Sequence, residues 1–102
     1  MEVFTEEVIK IIKEIPEGFV MTYGQVAQRA GNKRAARQVA WILSSMSQKY
    51  KLPWQRVINA KGEISHTGSE QRELLELEGV QFGFQDKVDL SRYQYVPNVK
   101  HH

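Results

Sequence analysis

The amino-acid sequence predicts a mainly α domain of winged helix-turn-helix type with a small β-hairpin. Three observations carry this prediction. Two apolar-periodic stretches, 22–30 and 33–48, are separated by little more than Gly31-Asn32, the tight glycine turn that joins such helices. The second stretch points Arg and Gln outward, as a helix entering a nucleic-acid groove would. "RVI" and "EIS" then flank "NAKG" at 59–62, the pattern of two short strands about a turn.

Each element has its own signals. Residues 5–14, "TEEVIKIIKE", read as a helix with Thr5 as N-cap, Glu6 and Glu7 at the positive end, and Val8, Ile11 and Ile12 as the apolar stripe. Pro16 and Gly18 stop it. In "TYGQVAQRA", 22–30, Thr22 followed three residues later by Gln25 is a capping box, which puts Tyr23 in the first turn. Gly31 closes that helix. In "KRAARQVAWILSSMSQ", 33–48, Ala36, Val39, Ala40, Leu43 and Met46 define an inner face. Arg34, Arg37, Gln38, Trp41 and Ser45 define the outer one. Residues 69–78, "SEQRELLELE", predict a helix capped by Ser69, with Leu74, Leu75 and Leu77 inward and Gly79 as stop. "VQFGF", 80–84, alternates Val80, Phe82 and Phe84 as a short strand would. The tail after it holds Leu90, Tyr93 and Tyr95, and is expected to be ordered in part.

A chain of 102 residues makes one domain, read as 1–97, with 98–102 as a tail or tag remnant ending in His101 and His102. With no cysteine, the chain has no thiolate nucleophile, disulfide or Cys-type zinc site. No apolar run approaches the roughly 20 residues of a membrane span, and "MEVFTEEV" lacks the basic start of a secretory signal. A cytoplasmic protein is expected.

Net charge is only +2, but it is segregated. All 12 acidic residues lie in 1–17 or 63–102. Residues 18–62 carry Arg29, Lys33, Arg34, Arg37, Lys49, Lys51, Arg56 and Lys61 and no acid. Such a block suits a polyanion, although charge runs also arise on ordinary solvated faces.

Catalytic equipment is sparse. His66 is the only histidine before the tail, which leaves no Cys–His pair and no convincing Ser–His pair. Glu70, Glu73, Glu76 and Glu78 could supply a carboxylate pair, but their spacing beside Gln71 and Arg72 reads first as a solvated helix face. No metal-ligand spacing and no phosphate-binding glycine loop occurs. Nucleic-acid equipment is better. Lys33 and Arg34 suit phosphates. Arg37, early in its helix, could fill the gap left by a flipped base, since a guanidinium is planar and stacks; a phosphate contact or an ion pair is the plainer alternative. Tyr23 is a plate beside the groove or a core-edge tyrosine. Trp54 is a core anchor, a stacking plate, or a substitute for something reactive. Trp41 suits packing or a groove rim.

Taken together, "VMTYGQVAQRAGNKRAARQVAWIL", "LPWQRVINAKGEIS" and "EQRELLELEGV" resemble the DNA-binding domain of O6-alkylguanine-DNA alkyltransferases, over residues 3–97. Active members have Pro-Cys-His-Arg-Val; here the run is Pro53-Trp54-Gln55-Arg56-Val57. Tryptophan at the cysteine position matches the alkyltransferase-like proteins, which bind alkylated guanine without repairing it. The resemblance implies that Tyr23 and Arg37 flip the nucleotide and that Trp54 and Val57 form the lesion pocket. Thr22, Lys33, Arg34, Gln38, Trp41 and Arg56 would contact DNA, Arg56 being either structural or a phosphate contact. Gln55 replaces the histidine that assists the cysteine, and Glu78 matches the family's glutamate but has no relay to support. No catalytic residue, metal or cofactor is assigned. The expected partners are double-stranded DNA containing O6-alkylguanine and nucleotide excision repair proteins, met by a monomer. Three rival readings are a sequence-specific winged-helix transcription regulator, an enzyme using the 70–78 carboxylates, and a protein-interaction module displaying Trp41 and Trp54.

Overall fold

The computed structural model describes residues 2–64 and 70–97. Its elements are α1 (Val3–Lys13), β1 (Met21–Thr22), α2 (Tyr23–Arg29), α3 (Ala36–Tyr50), β2 (Val57–Ile58), α4 (Glu70–Leu77) and α5 (Leu90–Tyr93). Trp54–Arg56 and Phe84–Asp86 form single 3₁₀ turns. The fold is mainly α, as predicted. Among the described residues no helix is long and apolar enough to cross a membrane.

The core has two lobes. Val8, Ile12, Ile15, Val26, Val39, Ile42 and Leu52 pack between α1, α2 and α3. Leu75, Val80, Val88 and Tyr93 pack under α4 and the C-terminal segment. The strands join them. Met21 and Val57 belong to the first lobe, Val20 and Ile58 to the second.

Several expectations are corrected. The β-hairpin is not formed among the described residues: β2 pairs in parallel with β1, Met21 opposite Val57 and Thr22 opposite Ile58. "NAKG" does turn, because the Asn59 side-chain oxygen accepts from the N–H groups of Lys61 and Glu63; Ser65 lies outside the described residues. Helix α1 starts at Val3, and Thr5 is buried rather than capping it. Helix α3 starts at Ala36, because Asn32 caps a turn that holds Lys33 and Arg34 ahead of the helix. Ile42, not Ala40, lies on its buried face. In α4 the inward stripe is Gln71 and Leu75, whereas Leu77 is exposed; Ser69 lies outside the described residues. "VQFGF" makes only an antiparallel bridge from Phe82 to Val88, and Phe84 points to solvent.

Candidate nucleic-acid interface

The capping box forms as read. Thr22 Oγ1 accepts from the Gln25 N–H at 3.0 Å, and Gln25 Oε1 accepts from the Thr22 N–H at 3.3 Å. This fixes Tyr23 as the first residue of α2, half-buried against the first core lobe. Thr22, expected to contact DNA, is buried and its hydroxyl oxygen serves the cap. The cap fixes the start of α2 and with it the position of Tyr23.

Gly31 has φ +103°, the left-handed backbone that lets α2 end and the chain turn at once into α3. Arg37 falls in the first turn of α3, where the helix's leading N–H groups are free to meet an anion. Lys33, Arg34, Arg37, Gln38 and Trp41 are all exposed, and Trp41 keeps 62% of its surface open. Among the described residues none of the four cations Arg29, Lys33, Arg34 and Arg37 is in an ion pair. Ala40, Ser44 and Ser45 make the surface around Trp41 low, and both serine hydroxyls donate back to the Trp41 carbonyl, at 3.0 and 2.8 Å. A face of unpaired cations and small side chains can approach a phosphate backbone closely.

Trp54 opens the 3₁₀ turn and is half-buried, packed against the core yet not sealed within it. The segment that carries it is held from behind by two side chains seven residues apart at the C-terminal side of the fold. The Gln71 amide, buried at the start of α4, donates to the Gln55 and Val57 carbonyls at 3.1 Å each. The Glu78 carboxylate accepts from Gln55 Nε2 at 2.7 Å, from Arg56 Nε at 3.0 Å and Nη2 at 3.0 Å, and from the Gly18 N–H at 3.0 Å. Arg56 Nη1 donates to the Ile15 carbonyl at 2.9 Å. Of the two roles open to Arg56 the structural one is observed: its guanidinium is committed to Glu78 and Ile15 and is not a phosphate contact here. Val57 is fully buried beneath the turn, so it supports Trp54 rather than lining an open pocket.

Burial pushes the Glu78 carboxyl up, but the Arg56 guanidinium, the Gly18 N–H and the Gln55 amide together outweigh it and hold the group below its ordinary value. Glu78 is thus a hub that ties α1's exit, the 54–57 segment and α4 together. Sequence reading left it idle and placed Gln71 on a solvated face. The usable signal was spacing: Gln71, Leu75 and Glu78 fall on one helical stripe. Glu70, Glu73 and Glu76 are exposed as expected. Among the described residues no cluster of three potential metal ligands occurs.

Comparison with known proteins agrees with this geometry. Residues 3–80 match the family model of the 6-O-methylguanine DNA methyltransferase DNA-binding domain. The chain is 45% identical over 95 residues to a DNA base-flipping protein of Escherichia coli K12, covering 90% of this chain and 74% of that one. It is 36% identical over 107 residues to alkyltransferase-like protein 1 of Schizosaccharomyces pombe, covering 95% and 98%. The fold superimposes on S. pombe Atl1, solved in complex with damaged DNA containing O6-carboxymethylguanine, with a TM-score of 0.85, 34% identity and 95% and 98% coverage. It also matches the Mycobacterium tuberculosis O6-methylguanine methyltransferase at TM-score 0.62 and 31% identity, covering 76% of this chain and 49% of that one. The family match over residues 3–80, the identity to both relatives along most of their length and the superposition of the helical frame lead to one conclusion: the chain belongs to the family of the 6-O-methylguanine DNA methyltransferase DNA-binding domain and is related within it to the alkyltransferase-like proteins.

Proposed function

We propose that this protein binds O6-alkylguanine in double-stranded DNA by flipping the nucleotide, transfers no alkyl group, and marks the site for nucleotide excision repair. It acts as a monomer in the cytoplasm, at the nucleoid if the cell is bacterial. The observation that carries the reading is Trp54. It is half-buried at the head of a rigidly held turn, in a chain without any cysteine to accept an alkyl group. The S. pombe relative's complex with O6-carboxymethylguanine DNA and the base-flipping name of the E. coli relative support the same reading.

In this mechanism the cations of 29–37 hold the duplex through its phosphates, which gives affinity without sequence preference. Tyr23 presses the backbone at the target nucleotide, and Arg37 takes the vacated place in the stack. Flipping costs a few kcal/mol and is cheaper for a poorly paired base. The indole then favours an alkyl group over a bare carbonyl oxygen. No group removes the alkyl substituent, so the outcome is a persistent distorted complex.

The deciding experiment is competition binding of one O6-methylguanine duplex against its undamaged twin, in several sequence contexts. A preference for the lesion in every context is expected; preference for one sequence regardless of damage would point to a transcription regulator instead. Trp54→Ala should narrow the affinity gap between the duplexes. Losing about 40 Å² of apolar contact at about 25 cal/mol per Å² removes about 1 kcal/mol, roughly fivefold. An unchanged gap would take Trp54 out of the pocket. Lys33→Ala should weaken both duplexes alike and lower the slope of log affinity against log salt by about one.

A further inference from the structure

Among the described residues, the two most exposed large apolar side chains are Phe84 at 88% and Leu77 at 83%. Neither belongs to the basic block or to the 54–57 segment. Phe84 is presented by a built turn. The Gly83 N–H donates to the Lys87 carbonyl at 2.9 Å, the Asp86 N–H donates to the Gly83 carbonyl at 3.1 Å, and Phe82 bridges to Val88. Within it Gln85 and Asp86 both adopt left-handed backbone, at φ +61° and +57°, which non-glycine residues disfavour. The turn is latched to α4, because Arg72 pairs with Asp86 at 2.5 Å and with Glu76 at 3.4 Å while its guanidinium lies 4.8 Å from the Phe82 ring centre. A rigid, strained turn that spends its conformational freedom on exposing an aromatic ring is the arrangement of a preorganised anchor.

The surroundings decide the occupant. Glu70, Glu73, Glu76 and Asp86 are exposed on the same two segments and outnumber the cations there, Arg72, which pairs with Glu76 and Asp86, and Lys87, so the surface is net negative. This surface repels a phosphate backbone, and two copies meeting through it face to face would oppose like charges. We propose that the Phe84 turn with the outer side of α4 docks a partner protein offering an apolar socket bordered by lysine or arginine. The proposal rests on the recruitment reading above and assigns it a surface: DNA is held by the basic block, and the repair partner by the acidic, apolar one.

The test uses the full chain and a Phe84→Ser/Leu77→Ser variant. Both side chains are exposed, so the fold should persist. Competition binding to the O6-methylguanine duplex should be unchanged within about twofold. A purified excision-repair system should incise that duplex faster with the wild-type protein, and the variant should lose at least about tenfold of that stimulation. Glu73→Lys/Glu76→Lys should lose part of it, more at low salt. Equal stimulation by wild type and variant would overturn the proposal. Lesion binding without any stimulation by the wild type would remove the recruitment reading and this surface with it, while absence of lesion preference would remove the lesion reading first. Self-association of the wild type that the variant abolishes, read by sedimentation, would reassign the patch to a second copy and overturn the partner.

Discussion

Arg37→Ala is expected to weaken binding to an O6-methylguanine duplex by about 2 kcal/mol, roughly thirtyfold, and binding to the undamaged duplex far less. The argument is local. Arg37 lies in the first turn of α3, is exposed, and has no ion pair among the described residues, so its removal costs the free protein little. Under the proposed function, what is lost is the planar group that stacks where the flipped base had been. A simple phosphate contact would behave otherwise, weakening both duplexes in proportion and lowering the salt slope. Anisotropy titrations of both duplexes over a salt series separate the two roles, and proportional loss would dismiss the finger. Tyr23→Ala should follow the same selective pattern, because its ring stands on the capped end of the neighbouring helix.

The largest effect on stability is expected at Glu78. Its side chain is only 7% exposed and that of its partner Arg56 16%. Glu78→Ala would leave Arg56 Nε and Nη2 and the Gly18 N–H without their acceptor, with only Nη1 still held by the Ile15 carbonyl, a change that costs about 3 kcal/mol for a buried pair, or about 15 °C in Tm for a domain of this size. Arg56→Met/Glu78→Leu should recover much of that loss, since neither member is then stranded. A double variant as unstable as the single one would show that the hub depends on Gly18 or Gln55 instead. The pair also sets an acid limit. The folded carboxyl titrates below the ordinary value of 4.5, so its contribution is complete above that pH. It fades as pH falls from there through the lower folded value. Thermal melts from pH 7 to pH 3 should show a drop that Glu78→Gln reduces, the remainder including Asp89, whose carboxyl is also held below its ordinary value by Ser91.

Sequence reading recovered what local rules determine. The capping box at Thr22, the glycine stop at Gly31 and the outward face of α3 depend on contacts within a few residues, and all three formed. Motif resemblance singled out Tyr23, Arg37 and Trp54, whose proposed roles the duplex titrations test. What stayed hidden depends on residues distant in the chain. The Gln71 and Glu78 contacts to the 54–57 segment span 14 to 23 positions, and nothing local marks a glutamine or a glutamate in an acidic helix as buried. The hairpin was misread for the same reason: "RVI" has strand chemistry, but its partner is Met21–Thr22, far upstream. Leu77 was assigned inward by composition, although the stripe set by Gln71, Leu75 and Glu78 leaves it outside.

That two-residue parallel ladder has a kinetic consequence. Tyr23 follows one strand directly and Trp54 precedes the other by three residues, so the gap between the two side chains is ruled by a pairing between positions 21 and 57. Closing so long a loop is slow and entropically unfavourable, whereas each helix can form locally. Slippage by a single step would offset the two rings by about 3.3 Å. A population with nearly full helical circular dichroism could therefore still be blind to damage, and variants at Met21 or Val57 should lose recognition before they lose ellipticity.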